Sequence, residues 1–153
     1  MNMSSQTHQL DDAMNEWIHM HSIRETEAMS QLRFETHQLE DGLMITSPEQ
    51  LQFLALLAKS IGAIKTIEIG VFTGSSAMAV AEVLPNNGVV IACDLTDEYL
   101  PIAQPAWDAS GVASKIDMRV GPALETLQTL IDEGESNTFD FLYIDADKIN
   151  SKN

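Results

Sequence analysis

Cysteine, basic charge and long apolar runs are all scarce in this sequence. Cys93 is the single cysteine among 153 residues, so an internal disulfide framework is excluded. Lysine and arginine number 8 against 23 aspartates and glutamates, and the net charge is −15. Such a surface repels the phosphates of nucleic acids and anionic membranes, so we expect neither as a partner.

Signals for secretion or membrane insertion are also missing. The stretch MNMSSQTHQLDDAMNEW has no basic region followed by an apolar segment, so it does not predict a signal peptide. No apolar run approaches the roughly 20 residues of a membrane-spanning helix. The sequence therefore predicts a cytoplasmic protein, with Cys93 buried inside the apolar run that contains it.

Helical spacing of apolar residues characterises the first part of the chain. Residues 10–40 show this spacing and predict two helices that pack on something else. A third helix is predicted to begin at Ser47-Pro48-Glu49, with serine as N-cap, proline at the first position and glutamate in the first turn. Gly62 is predicted to end that helix.

From residue 66 onward the pattern alternates between strand and helix. Strands are predicted over 66–70, 89–94, 115–120 and 139–144, with helices over 75–84, 97–110 and 122–132 between them. Alternation at this spacing implies parallel strands joined by right-handed crossovers, hence an open α/β sheet. Ligands of such sheets bind beyond the carboxyl ends of the strands.

The loop after the first predicted strand is a candidate ligand site. Gly70 and Gly74 let the backbone approach a ligand, and the helix beginning near Ser75 offers free N–H groups to an anion. The second glycine of the dinucleotide pattern G-x-G-x-x-G is absent, and Glu68 precedes the loop. The pattern suits a ligand with a small carboxylate and a nearby positive charge, although a plain tight turn is the alternative.

Two further strand ends fit a nucleoside. Asp94 ends the second strand, where an acid holds ribose hydroxyls in nucleotide-binding folds, although a solvated acid is the alternative. A small residue within Gly121-Pro122-Ala123-Leu124, at the end of the third strand, would let an adenine lie flat against the backbone. Together these features favour a nucleoside cofactor.

The last predicted strand is apolar on both faces and ends in charged residues. Alternation puts Phe139, Phe141 and Tyr143 on one face and the intervening apolar residues on the other. The carboxyl end of this strand is followed by two carboxylates and an ammonium, in Asp145-Ala146-Asp147-Lys148. This is the type of position at which an active site forms in an open α/β sheet.

Four motifs in order resemble the cation-dependent O-methyltransferases. They are MITSPEQLQFLALL, TIEIGVFTGSSAMAVA, GVASKIDMRVGPALETL and FDFLYIDADK, within a likeness that runs from about Ile23 to Lys148. This S-adenosylmethionine-dependent group includes the caffeoyl-CoA and catechol O-methyltransferases and small bacterial relatives. The resemblance implies a Rossmann-like class I methyltransferase fold in one domain, with a helical arm over 1–45 and a cofactor-binding α/β part over 46–153.

The resemblance also implies roles for individual residues. Asp145 would bind a divalent cation (Mg²⁺, Mn²⁺ or Ca²⁺), and Lys148 would be the general base near the hydroxyl of a small aromatic acceptor of catechol or caffeoyl type. The cation would lower the pKa of that hydroxyl and orient it. The residues that would contact S-adenosylmethionine are Met44, Thr46, Glu68, Gly70, Ser76, Asp94, Ala123 and Asp147.

The family pattern continues beyond the point where this sequence stops. In the family, a further helix and strand lead to an Asp-Asn pair that completes the metal site, so the resemblance implies an incomplete domain with weak methyl transfer. A non-catalytic fragment that binds cofactor, or pairs with another subunit through its N-terminal helices, is an alternative, and a homodimer is one form of such pairing. A nicotinamide-dependent dehydrogenase is disfavoured by the missing glycine pattern.

Overall fold

Three α-helices precede a series of alternating strands and helices in residues 11–146, the part of the chain that the structure, a computed structural model, describes. The elements are α1 (Asp12–Ser22), α2 (Glu27–Thr36), α3 (Pro48–Ser60), β1 (Lys65–Ile69), α4 (Ser75–Val83), β2 (Val89–Asp94), α5 (Leu100–Ser110), β3 (Ile116–Val120), α6 (Ala123–Asp132) and β4 (Phe141–Ile144). The predicted strand–helix alternation is confirmed. Among the described helices, none has the length and apolar character needed to cross a membrane.

The four strands form one parallel sheet in the order β3-β2-β1-β4. The chain steps outward from β1 to β2 and β3, and then returns to place β4 on the other side of β1. The strand order therefore reverses between β1 and β4. In open α/β sheets, the crevice at such a reversal, beyond the carboxyl ends of the strands, is where ligands bind.

Side-chain caps explain where two of the N-terminal helices begin. The Thr26 hydroxyl accepts a hydrogen bond from the Met29 amide at 3.2 Å at the start of α2. The Ser47 hydroxyl accepts one from the Gln50 amide at 3.3 Å, and Pro48 follows it as the first residue of α3. The predicted N-cap of the third helix is confirmed, because these groups satisfy amides that lack partners within the helix.

The core has two parts, one on each face of the sheet. The larger cluster joins α2, α3, α4 and α5 to one face, and Leu32, Met78 and Trp107 are fully buried within it. The smaller cluster joins α6 to the opposite face through Leu130. The predicted burial of Cys93, which lies in this smaller cluster, is confirmed.

The prediction for the last strand was wrong at its start. The strand begins at Phe141, and Phe139 packs with the smaller cluster on the opposite face, beneath the Lys65 ammonium at 4.7 Å from its ring centroid. Asp140 causes the difference. Its carboxylate accepts a hydrogen bond from the Lys65 amide at 3.0 Å, so the chain bends there before the regular pairing with β1 begins.

Gly74 is held against the ring of Trp107. Its φ of +78° lies in the left-handed region, and a Cβ there would come within 2.4 Å of the indole. The Trp107 ring N–H donates a hydrogen bond to the Gly74 carbonyl at 3.0 Å. Both the backbone angle and the close approach therefore require glycine, and they tie the start of α4 to α5.

Gly74→Ala should destabilise the protein by at least about 3 kcal/mol, because overlap with Trp107 adds to the cost of the left-handed backbone. Gly111→Ala is the matched control, since Gly111 has a φ of +75° but, apart from its two chain neighbours, no described residue has a heavy atom within 4 Å of its would-be Cβ. It should cost only about 1–2 kcal/mol. Urea unfolding of both variants provides the measurement, and equal losses would show that Trp107 can move aside.

Candidate active site

Acidic side chains gather at the carboxyl ends of the strands, at the reversal of strand order. Glu68 lies near the end of β1, Asp94 is the last residue of β2, and Asp145 follows β4. Backbone hydrogen bonds continue past the strand ends, from the Gly70 amide to the Cys93 carbonyl and from the Asp145 amide to the Ile69 carbonyl, both at 2.9 Å. These residues therefore lie along one continuous edge of the sheet.

Asp94 anchors the glycine-containing loop. Its Oδ2 accepts hydrogen bonds from the amides of Val71 at 2.7 Å and Phe72 at 3.0 Å, and its Oδ1 accepts one from the Leu95 amide at 2.7 Å. A carboxylate accepts about four hydrogen bonds in total, so Oδ1 can still accept one from a ligand hydroxyl. Asp94 is thus a structural anchor, a role that neither sequence interpretation included.

Gly70 lies against the end of β4. Its φ is +91°, and a Cβ there would come within 2.7 Å of the Asp145 carbonyl oxygen. Glycine is therefore required at position 70 because the protein's own backbone lies close to it, just as Gly74 is required by the nearby ring of Trp107. Direct contact of either glycine with a ligand stays a prediction.

Glu68 is a buried acid that faces a hydroxyl group. Its side chain is 3% exposed, and the Ser76 hydroxyl donates a hydrogen bond to its Oε1. Burial raises the pKa of Glu68 to about 8, opposed by the Ser76 hydrogen bond and reinforced by the charges of Asp145 and Asp94. Glu68 is therefore largely protonated at neutral pH, so the edge carries less negative charge than its sequence indicates.

Tyr143 links Asp145 to helix α3. Its hydroxyl donates a hydrogen bond to Asp145 Oδ2 at 3.0 Å and accepts one from Gln50 Nε2 at 2.8 Å. Burial, together with the adjacent Asp145 carboxylate, raises the pKa of Tyr143 to about 12, while the Thr46 hydroxyl opposes the shift. Sequence analysis treated Tyr143 as an apolar strand residue, yet its position on the same side of the strand as Asp145 is a usable signal.

The other predicted contacts lie around this edge. Met44 is exposed at the end of a short 3₁₀ turn, and Thr46 lies close to Tyr143. Ala123 opens α6, just after Gly121, whose amide donates a hydrogen bond to the Asp94 carbonyl at 2.8 Å. Asp147 and Lys148 lie outside the described residues, so their predicted roles have no structural counterpart.

A divalent cation would need more ligands than this edge provides. Asp145 offers one carboxylate, and no group of three histidine, cysteine or acidic residues within 11–146 could hold a metal ion. Magnesium requires near-octahedral coordination and calcium takes 6–8 oxygens. The described residues do not by themselves fit such an ion, so metal binding by Asp145 stays a prediction.

The chain has a class I methyltransferase fold. Its features are the parallel sheet, the reversal of strand order between β1 and β4, and the acidic residues at the strand ends. The family model of the O-methyltransferases matches residues 19–153, and the chain belongs to this family. The fold class and the resemblance predicted from the sequence are thereby confirmed.

Individual relatives agree with this assignment. The chain is 44% identical to a caffeoyl-CoA O-methyltransferase of Eucalyptus gunnii, over 93% of this chain and 58% of that protein. It is also 44% identical to a probable caffeoyl-CoA O-methyltransferase of Dictyostelium discoideum, over 84% and 56%. The crystal structure of an O-methyltransferase from Bacillus cereus in complex with SAH superposes with a TM-score of 0.80 at 28% identity, covering 90% of this chain and 62% of that one. The chain thus spans little more than half the length of the curated relatives.

The buried acid has a testable consequence for stability. Folded Glu68 keeps its proton up to about pH 8, whereas an unfolded glutamate loses it near 4.5. The stability that Glu68 contributes is therefore complete below that lower value and is lost as the pH rises through about 8. Glu68→Gln mimics the protonated acid, so its free energy of unfolding relative to the wild type should rise by on the order of 4 kcal/mol between about pH 5 and pH 9.

Urea unfolding at both pH values gives this difference. Glu125→Gln, which changes an exposed acid in the first turn of α6, controls for the general effect of removing one charge. A Glu68→Gln effect that stays constant across this pH range would show that Glu68 is ionised in the folded protein.

Proposed function

We propose that this chain takes part in S-adenosylmethionine-dependent O-methyl transfer to a small hydroxylated aromatic of catechol or caffeoyl type. The observation that carries the proposal is Asp94, which anchors the loop after β1 through Oδ2 and retains acceptor capacity on Oδ1. It is the last residue of β2, which pairs with β1 beside the strand-order reversal, in a chain that belongs to the O-methyltransferase family. Caffeoyl-CoA O-methyltransferases among the relatives, and SAH in the Bacillus cereus structure, support the acceptor class and the cofactor.

The chemistry of the described edge fits this cofactor. S-adenosylmethionine carries a positively charged sulfonium, which favours an acidic environment. Asp94 Oδ1 would accept a hydrogen bond from a ribose hydroxyl, and the free amides at the start of α4 suit the carboxylate. Ala123 would lie beside the adenine. The remaining proposed contacts are Met44, Thr46, Glu68, Gly70, Ser76 and Asp147.

When bound, the cofactor supplies the methyl group, and the chain's own residues would position the acceptor. Tyr143 restrains the carboxylate of Asp145, and restraint of this kind favours a fixed geometry between reacting groups. Lys148 is the proposed general base, a role usually worth about 10²–10⁴-fold in rate. Assistance by a divalent cation rests on the resemblance alone, because Asp145 is its single proposed ligand.

Cofactor binding without methyl transfer is a second candidate function. It is favoured by the shortage of metal ligands: within residues 11–146 no group of three histidine, cysteine or acidic residues could hold a metal ion, and Asp145 is the single proposed ligand. A methylation assay separates the two candidates, since both include cofactor binding and only one includes transfer.

Asp94→Asn should weaken the binding of S-adenosylhomocysteine (SAH) by about 1–3 kcal/mol, because a charge-assisted acceptor becomes a neutral amide. Asp117→Asn is the matched control, since Asp117 lies on β3 and pairs with Arg119. Isothermal titration calorimetry measures both variants against the wild type, with NAD as a second ligand. Equal affinity of the Asp94 variant and the wild type for SAH would contradict the ribose assignment, and a preference for NAD would favour a dehydrogenase.

Methyl transfer by the 153-residue chain should be weak, because Asp145 alone would leave a divalent cation mostly in water. The assay uses caffeic acid, labelled S-adenosylmethionine and millimolar Mg²⁺. A version extended with the C-terminal part of a caffeoyl-CoA relative is run beside it. Comparable turnover by the two would show that the proposed metal site is misplaced, whereas SAH binding with no transfer by either would favour the non-catalytic candidate.

A further inference from the structure

Helix α2 contacts both chain segments that border the proposed cofactor site. These are residues 44–46, before α3, and residues 71–74, between β1 and α4. The contacts come from Arg33 and Thr36, whose spacing of i and i+3 places them on the same side of the helix. Residues 44–46 follow α2 after a short connection, whereas residues 71–74 are distant from it in the sequence. The fold brings both segments against the same side of α2.

Arg33 fixes the backbone of the first segment. Its guanidinium forms an ion pair with Glu25 and also donates a hydrogen bond from Nη1 to the Thr46 carbonyl at 3.0 Å. The Arg33 side chain is 15% exposed, so both contacts are largely shielded from water. A guanidinium presents several N–H donors in a rigid plane and can hold two partners at once, which a lysine ammonium does less well.

Thr36 fixes the second segment. Its hydroxyl lies 2.9 Å from the Thr73 hydroxyl and 2.8 Å from the Leu32 carbonyl, and both threonines are fully buried. One arrangement satisfies every group: Thr36 donates to the carbonyl, and Thr73 donates to Thr36. Thr73 follows Phe72, whose amide binds Asp94, so this hydroxyl pair holds the same loop from its other side.

We propose that Arg33 and Thr36 are positioning residues that set the relative placement of residues 44–46 and 71–74 before the cofactor binds. This inference rests on the proposed cofactor site. Two bordering segments held in place in the free protein lose less conformational freedom when the ligand binds, and affinity increases accordingly. Neither residue needs to touch the cofactor, because each acts through the segment it holds.

The test compares SAH affinity among close variants by calorimetry. Arg33→Lys keeps a positive charge beside Glu25 but weakens the hydrogen bond to the Thr46 carbonyl. Thr36→Val removes the hydroxyl at nearly constant side-chain shape. Each variant should weaken SAH binding roughly tenfold. Thr36→Ser, which restores the hydroxyl, should recover most of the affinity. Arg24→Lys is the matched control and should bind as the wild type does, because within residues 11–146 the Arg24 guanidinium donates hydrogen bonds only to the carbonyls of His21 and Ile23.

Amide hydrogen exchange of the ligand-free protein gives a second, local measurement. Arg33→Lys should increase exchange within residues 44–46, and Thr36→Val should increase it within residues 71–74, each leaving the other segment near the wild-type rate. Val112→Ala, a truncation of a buried side chain after α5, serves as a control for general destabilisation. It should not produce this segment-specific pattern.

The outcomes separate the inference from the function on which it rests. Wild-type protein that binds no SAH would overturn the proposed function, and the inference with it. Wild-type binding with unchanged affinity in Arg33→Lys and Thr36→Val would overturn the inference alone. The inference would also be overturned if Thr36→Ser failed to recover the SAH affinity lost in Thr36→Val. The same conclusion would follow if Val112→Ala lost as much SAH affinity at an equal loss of thermal stability.

Discussion

The two hydrogen bonds that Asp94 accepts from the loop after β1 are the interaction on which the candidate site depends. They satisfy the amides of Val71 and Phe72, and Phe72 has a φ of +51°, an unfavourable angle for a bulky residue. The carboxylate therefore offsets the cost of a strained turn. Because α4 begins at Ser75, directly beyond this turn, Asp94 also determines where the free amides of the first helical turn point.

Acidic groups on the same edge avoid mutual repulsion by different means. Glu68 is buried and holds its proton, with Ser76 as its hydrogen-bond partner. Asp94 is surrounded by amide donors, and Asp145 accepts a hydrogen bond from Tyr143. The edge can thus contain three carboxyl groups without three unshielded charges in contact.

Local signals in the sequence predicted most of the fold, whereas long-range contacts decided the rest. Strand–helix alternation and the Ser47 cap depend on near neighbours, and both predictions were confirmed. The start of the last strand was predicted wrongly because Asp140 binds an amide on β1, far away in sequence. Likewise, no local pattern predicts the contact of Thr36 with Thr73, since it depends on the packing of α2 against α4 and α5. The strand-end acids were predictable because parallel strands bring their carboxyl ends together, but the anchoring role of Asp94 depends on the amides of Val71 and Phe72, which are distant from it in the sequence.

Strand β4 is covered on one face and exposed on the other within residues 11–146. Phe141 and Tyr143 pack against the larger core cluster, but Leu142 and Ile144, on the opposite face, are 52% and 61% exposed. Strands of parallel sheets are normally covered on both faces. Asp145 directly follows Ile144, and the described residues around it supply too few metal ligands to hold a cation. A group that covered Leu142 and Ile144 would lie on the face of β4 opposite to Tyr143, so it would shield the strand from the side away from the hydrogen bond between Tyr143 and Asp145.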